Sequence, residues 1–231
     1  MKKHLLLFCL LPALYSSGQT ALANGGSGVP GLIEIRDVSG RPFTATATEV
    51  KGSPLLSENW GTGYVKFANG RILKDVSLRF NLFNNELYYK LEDIEFVFVD
   101  PVTEFSFSYD EKGKSHFAFF RNGYPGTRPG SGTLYYEVLT DGKRYKLLKR
   151  NYKSISEAYE FNSIPSRIFR QNGELYIYDA QARALIPVKY KQSLSELVPE
   201  LSGQLAQLQG NEKGRFKSEK ELVELFTQLN L

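Results

Sequence analysis

The sequence predicts a mainly β protein: an antiparallel, hairpin-rich sheet, built as a sandwich or an open, partly closed barrel, with two or three short C-terminal α-helices. Three observations predict it. Apolar and polar residues alternate with a period of two through most of the chain up to about residue 190. Turn pairs such as Asn69-Gly70 and Asp141-Gly142 separate alternating runs, which is the strongest short-range hairpin signal. After residue 190 the apolar spacing lengthens to that of a helix. Strands first and helices last argue against repeated βαβ units.

The chain opens with Lys2 and Lys3, an apolar run over 5–14, and small residues ending in Ala21-Leu22-Ala23. That layout predicts a secretory signal peptide over residues 1–23. The apolar run falls short of the roughly 20 residues that span a bilayer. Residues 24–31, rich in glycine, read as a flexible leader. Residues 32–190 are then expected to form the antiparallel β domain, and 191–231 a helical segment packed on it.

Strands are predicted over 43–48, 64–67 and 71–73, the last two joined by Asn69-Gly70. Further strands follow over 76–80, 86–91, 94–99, 104–109 and, after a polar turn at 111–114, 115–120. Residues 122–132, rich in Gly and Pro, predict a loop long enough to be functional. Strands over 133–140 and 143–149 flank Asp141-Gly142. A third hairpin is expected to turn at Asn172-Gly173, between runs 165–171 and 174–178. The run 184–189 carries Pro187, which suits an edge strand. In the tail, Ser193 with Glu196 and Ser218 with Glu221 read as capping boxes. Leu194, Leu197 and Val198 form one apolar stripe, Pro199 ends or restarts that turn, and Leu201, Leu205 and Leu208 continue it. Leu222, Leu225, Phe226 and Leu229 give the last helix an apolar face, expected to bury against the sheet.

Composition narrows the chemistry. The 231 residues include 29 basic and 25 acidic ones, net +4. Removal of residues 1–23 would leave 208 residues and a net charge of +2. So small a charge gives no case for a nucleic-acid partner or a polybasic membrane anchor. Cys9, the one cysteine, lies in the apolar part of the signal. The mature chain would therefore lack thiol catalysis, disulfides and cysteine metal ligands. His116 would be its one histidine, too few for a usual catalytic zinc site. Neither a metal nor another cofactor is expected.

Individual constellations are weak. Ser115 and His116 are neighbours on a strand, so they face opposite ways, and no G-x-S-x-G elbow is present. Glu92, Asp93, Glu95, Asp110 and Glu137 are the carboxylates a hydrolase would need to bring across a cleft. The acidic turns lack calcium-loop spacing. The basic run from Lys143 to Lys153 reads as a solvated strand face. Strands of five to seven residues are short for a membrane barrel. Trp60, Arg121, Tyr124 and Arg128 are the candidate ligand-binding residues, because loop aromatics beside arginines can stack on a sugar or hold an acidic ligand.

One ordered series of motifs remains. Gly52-Ser53-Pro54-Leu55 precedes a Tyr-Val-Lys-Phe strand, and the Asn-Gly turn precedes Val76-Ser77-Leu78-Arg79-Phe80-Asn81. Tyr136-Glu137-Val138-Leu139, Asn172-Gly173-Glu174-Leu175-Tyr176 and the tail from Phe216 to Val223 follow. Over roughly residues 50–231 the series resembles a broad set of uncharacterised exported bacterial proteins. That set has no established activity, so the resemblance transfers no functional residue. The resulting expectation is an exported protein, periplasmic or extracellular, acting as a non-enzymatic binding or structural module of the cell envelope. Its candidate partners are an envelope protein, a glycan or an apolar ligand, with no nucleic acid and no membrane span after signal removal. Two alternatives stand beside it: a carrier holding an apolar ligand in a sheet–helix pocket, and a carboxylate-dependent hydrolase.

Overall fold

Among the described residues, eleven strands make one sheet that does not close, and three helices follow it at the C-terminus. The computed structural model describes residues 50–111, 113–126, 131–158, 166–209 and 215–229, which belong to a compact unit spanning Ala47–Leu231. The predicted signal, leader, 43–48 strand and Arg128 lie outside the described residues.

The strands are β1 (Val50–Lys51), β2 (Gly61–Phe67), β3 (Ile72–Asn81), β4 (Glu86–Leu91), β5 (Ile94–Val97), β6 (Val102–Glu111), β7 (Lys114–Arg121), β8 (Tyr136–Asp141), β9 (Tyr145–Ala158), β10 (Ser166–Asp179) and β11 (Ala184–Val188). Their spatial order is β1-β10-β9-β8-β7-β6-β2-β3-β4-β5, with β11 also on β10. β2 to β5 form a meander, β6 returns to the free side of β2, and β6 to β11 continue as a second meander. Neighbours are antiparallel except β1, which runs parallel to β10. Asn69-Gly70 and Asp141-Gly142 turn where the sequence places them, Gly70 with φ +83°. β11, with Pro187, pairs only with β10.

Two expectations need correction. The predicted strands 71–73 and 76–80 are one strand, β3, which carries Asp75 at φ +55° within it. Asn172-Gly173 is not a turn. It sits inside β10, Asn172 opposite Tyr152 and Gly173 opposite Asn151, in a ladder of fourteen pairs with β9. The turn preference of two residues is local, and a ladder of that length outweighs it.

The helices are α1 (Leu194–Leu197), a 3-10 turn at Pro199–Leu201, α2 (Ser202–Gln209) and α3 (Glu219–Leu229). Pro199 restarts the helix, as expected. Ser193 holds the N-cap position of α1 without a side-chain capping bond. At α3, Ser218 Oγ accepts the Glu221 N–H at 3.2 Å, and the Glu221 carboxylate accepts the Lys217 N–H at 2.8 Å.

Register shows how the faces are divided. Phe105, Phe120, Glu137, Lys149, Leu175 and Val188 lie opposite one another in a row across β6 to β11, so they share one face. At the β6 end that face carries a phenylalanine-rich core: Val65, Phe67, Leu78, Phe80, Phe105, Phe107 and Phe120 are all buried. At the other end Leu147, Leu175, Ile177 and Val188 receive Leu194, Leu205, Phe216, Leu222, Leu225 and Phe226 from the helical tail. Each such buried side chain contributes roughly 1.5–3 kcal/mol over exposure. The opposite face holds a smaller cluster of Tyr124, Tyr136 and Leu148, flanked by Tyr176 and Tyr178.

Candidate functional site

The residues singled out from sequence do not form one site. Trp60 lies just before β2, its ring under the Arg79 guanidinium at 4.4 Å, and Arg79 is ion-paired with Glu95. Arg121 lies across from Glu104, which in turn lies across from Lys66 at the far end of β2, roughly 20 Å away along the strand. Arg121 and Tyr124 do come together. Arg121 bonds Glu104 at 2.9 Å and Asp141 at 3.1 Å, and Tyr64 donates to the same Glu104 at 2.8 Å. Burial pulls the Arg121 guanidinium down, but the Glu104 bond and the nearby Tyr124 and Asp141 reverse this and hold it above its ordinary range. Burial and the bond to Glu104 push the Tyr64 phenol up to about 12. Tyr124 packs edge-on against Tyr136 and Tyr178 at 5.6 and 4.9 Å. Its buried hydroxyl feels the charge of Arg121 without meeting hydrogen-bond geometry. Lys146 on β9 also binds Asp141, so the network is internally neutral, and it joins β2, β6, β7, β8 and β9.

An open site lies elsewhere. β1 leaves the outer edge of β10 at Ile168, and β11 joins it at Leu175. Between them a cavity of about 630 Å³ wraps the unpaired edge. Leu175, Pro187 and Val188 supply its apolar lining, beside Gly173. Gln171, Asn172, Tyr176, Lys189 and Tyr190 supply polar groups, and Lys149, Asn151, Glu174 and Glu219 line the sides. Tyr190 is half exposed and braced edge-on by Phe216 at 5.9 Å.

Apart from Lys189, the charged side chains lining this cavity are already committed. Lys149 binds Glu219 at 2.9 Å, which joins β9 to α3. Glu174 accepts from Tyr176 at 2.7 Å, Tyr152 at 3.2 Å and Arg150 at 3.3 Å. Burial alone would raise the Glu174 carboxyl, but these donors hold it below its ordinary value. Glu137, beside Lys149 in the register row, accepts from Asn151 at 2.6 Å. Here burial wins, and the carboxyl lies above its ordinary range despite Lys149 and Asn151.

The five carboxylates considered for hydrolysis are divided among the β4–β5 hairpin, β6 and β8. Glu92, Asp93 and Glu95 belong to the β4–β5 hairpin, with Asp93 on Lys90 and Glu95 on Arg79. Asp110 is the penultimate residue of β6 and Glu137 lies on β8. His116 stacks on Tyr109 at 5.5 Å. Among the described residues, no group of three or more His, Cys, Asp or Glu side chains converges as a metal site. No described helix is long and apolar enough to cross a membrane.

Sequence reasoning missed the cavity. The signal for it was Gly173: a glycine inside a strand marks a place where another group comes close, and Asn-Gly drew the reading to a turn instead. Comparison with known proteins finds no matching family model, no matching curated protein and no matching solved structure.

Proposed function

We propose that the protein is a non-enzymatic binding module of the bacterial cell envelope, and that it holds a polar, extended ligand of glycan type in the cavity on the outer edge of β10. The observation that carries this reading is the make-up of that cavity. Its size falls in the usual range for ligand sites, roughly 300–1,000 Å³. Its apolar lining and half-exposed Tyr190 suit the face of a sugar ring, and Gln171 and Lys189 suit its hydroxyls. Its strongest acid and base candidates are bound to each other or to tyrosines, an arrangement suited to recognition and poorly suited to proton transfer. The apolar-carrier reading draws less support, because Leu194, Phe216, Leu222 and Phe226 fill the space between helices and sheet. The hydrolase reading suffers from the dispersal of its carboxylates.

The test is calorimetric titration of the purified protein with neutral and anionic envelope oligosaccharides. Binding is expected, weakened at least tenfold by Tyr190→Ala and by Gln171→Ala with the circular dichroism unchanged. Cleavage of any of these oligosaccharides, or binding untouched by both substitutions, would overturn the proposal.

A further inference from the structure

β5 ends the sheet. It pairs with β4 residue for residue, and among the described strands nothing pairs its other side. All four of its residues are exposed. The run Ile94-Glu95-Phe96-Val97-Phe98-Val99 carries one charge, on Glu95, and Arg79 neutralises it. Proteins usually guard such an edge with lysine, proline or a bulge, and β5 has none of these. Left open, a six-residue stretch of this kind templates aggregation. Its apolar face also continues into the phenylalanine core. Tyr89 stacks on Phe96 at 5.4 Å and packs at a tilt against Phe98 at 4.5 Å, and Phe98 meets Phe67 at 5.7 Å. Leu91 and Ile94, 63% and 60% exposed, extend that face to the rim.

We propose that β5 is covered by β5 of a second copy, running antiparallel, with Phe96 on the twofold axis. The strand complements itself in this register. Phe96 meets Phe96, Ile94 meets Phe98 of the other copy, and Glu95 meets Val97. Centring on Glu95 would oppose two carboxylates, and a slip of one residue would turn every apolar side chain to the wrong face. Head-to-tail growth through the opposite end of the sheet is disfavoured, because that end is divided between the two-residue β1 and β11, which carries Pro187. An isologous pair closes on itself and stops. The two phenylalanine cores become one continuous layer.

Analytical ultracentrifugation of the purified chain tests this. A concentration-dependent monomer–dimer equilibrium is expected. Phe96→Lys and Phe96→Glu each weaken it at least about a hundredfold by setting like charges face to face. An equimolar mixture of the two variants restores the dimer, because residue 96 faces itself only at that axis. Val97→Lys, at a half-exposed position opposite Glu95, tightens it several-fold and does not depend on Phe96. A chain that stays monomeric at every concentration overturns the proposal. So does a dimer that survives Phe96→Lys, a mixture that stays monomeric, a dimer no tighter in Val97→Lys, or growth into polymers.

Discussion

Glu137 shows how much a single side chain owes to its surroundings. Sequence marks it as an acidic residue on an alternating strand and as one of five candidate hydrolytic carboxylates. In the fold it lies between the phenylalanine core and the helix-covered core, in register with Phe120 on one side and Lys149 on the other. Burial raises its carboxyl above the ordinary 4.5, and Lys149 and Asn151 only partly offset this. A carboxyl raised by folding binds its proton more tightly in the folded chain. Its stabilising contribution is complete below the ordinary value and is lost as pH rises through the raised one. Glu137→Gln removes that loss while keeping an acceptor for Asn151. Thermal unfolding should therefore favour Glu137→Gln over the wild type more at pH 7 than at pH 4. A difference that does not change with pH would refute this reading of the site. Trp60, by contrast, reads from sequence as a loop aromatic free to stack on a ligand. In the fold Arg79 covers it, because the pairing of Gly61 with Leu78 brings the two together.

Among the elements, β2 and β10 carry the clearest lessons. β2 approaches β6 so closely that Gly61 and Gly63 leave no room for a side chain. A Cβ on Gly63 would lie 1.8 Å from the Ser106 carbonyl oxygen, and one on Gly61 2.1 Å from that of Ser108. Both obstacles are backbone and cannot step aside. Gly63→Ala should cost about 3 kcal/mol or more. At Gly173 a Cβ would meet the Lys149 Cε at 3.3 Å, the mobile end of a long side chain. Gly173→Ala should therefore cost less than about 1 kcal/mol. Urea unfolding of the two variants checks the contrast. Strand identity was legible for most of the sheet because a period of two is written into adjacent residues. The continuity of β10 through Asn172-Gly173 was not, because the fourteen partners that enforce it lie on β9. The same limit separates the two helix caps. Ser218 and Glu221 cap α3 as the spacing predicts, whereas Ser193 shares a hydrogen bond with Ser195 and leaves α1 without a side-chain cap.

Across the whole molecule, one lysine joins distant parts of the sheet. Lys153 on β9 donates to the carbonyls of Ser53 and Leu55 at 2.7 and 2.6 Å, and its backbone N–H donates to Leu82 beyond β3. Phe83 and Phe169 pack edge-on beside it at 5.4 Å. These contacts draw the end of β3 towards the long β9–β10 hairpin and curve the sheet around its phenylalanine core. Burial holds the Lys153 ammonium below its ordinary value, and the two carbonyls compensate for the water it has lost. Lys153→Met leaves those carbonyls without their donor. It should speed amide exchange in residues 50–56 and lower the melting temperature, with exchange in α3 unchanged. Equal loss of protection in α3 would show that the lysine supports the whole fold and not this junction. The sequence by itself determined the mainly β class, the hairpins at Asn69-Gly70 and Asp141-Gly142, the edge character of β11 and the apolar faces of the tail. Each of these is a property of neighbouring residues. Only the tertiary structure decided that β6 returns to β2, that Asn172-Gly173 stays in a strand, that a cavity opens between β1 and β11 along β10, and that no other described strand pairs the outer side of β5. Those outcomes depend on contacts between residues tens of positions apart, which no local spacing encodes.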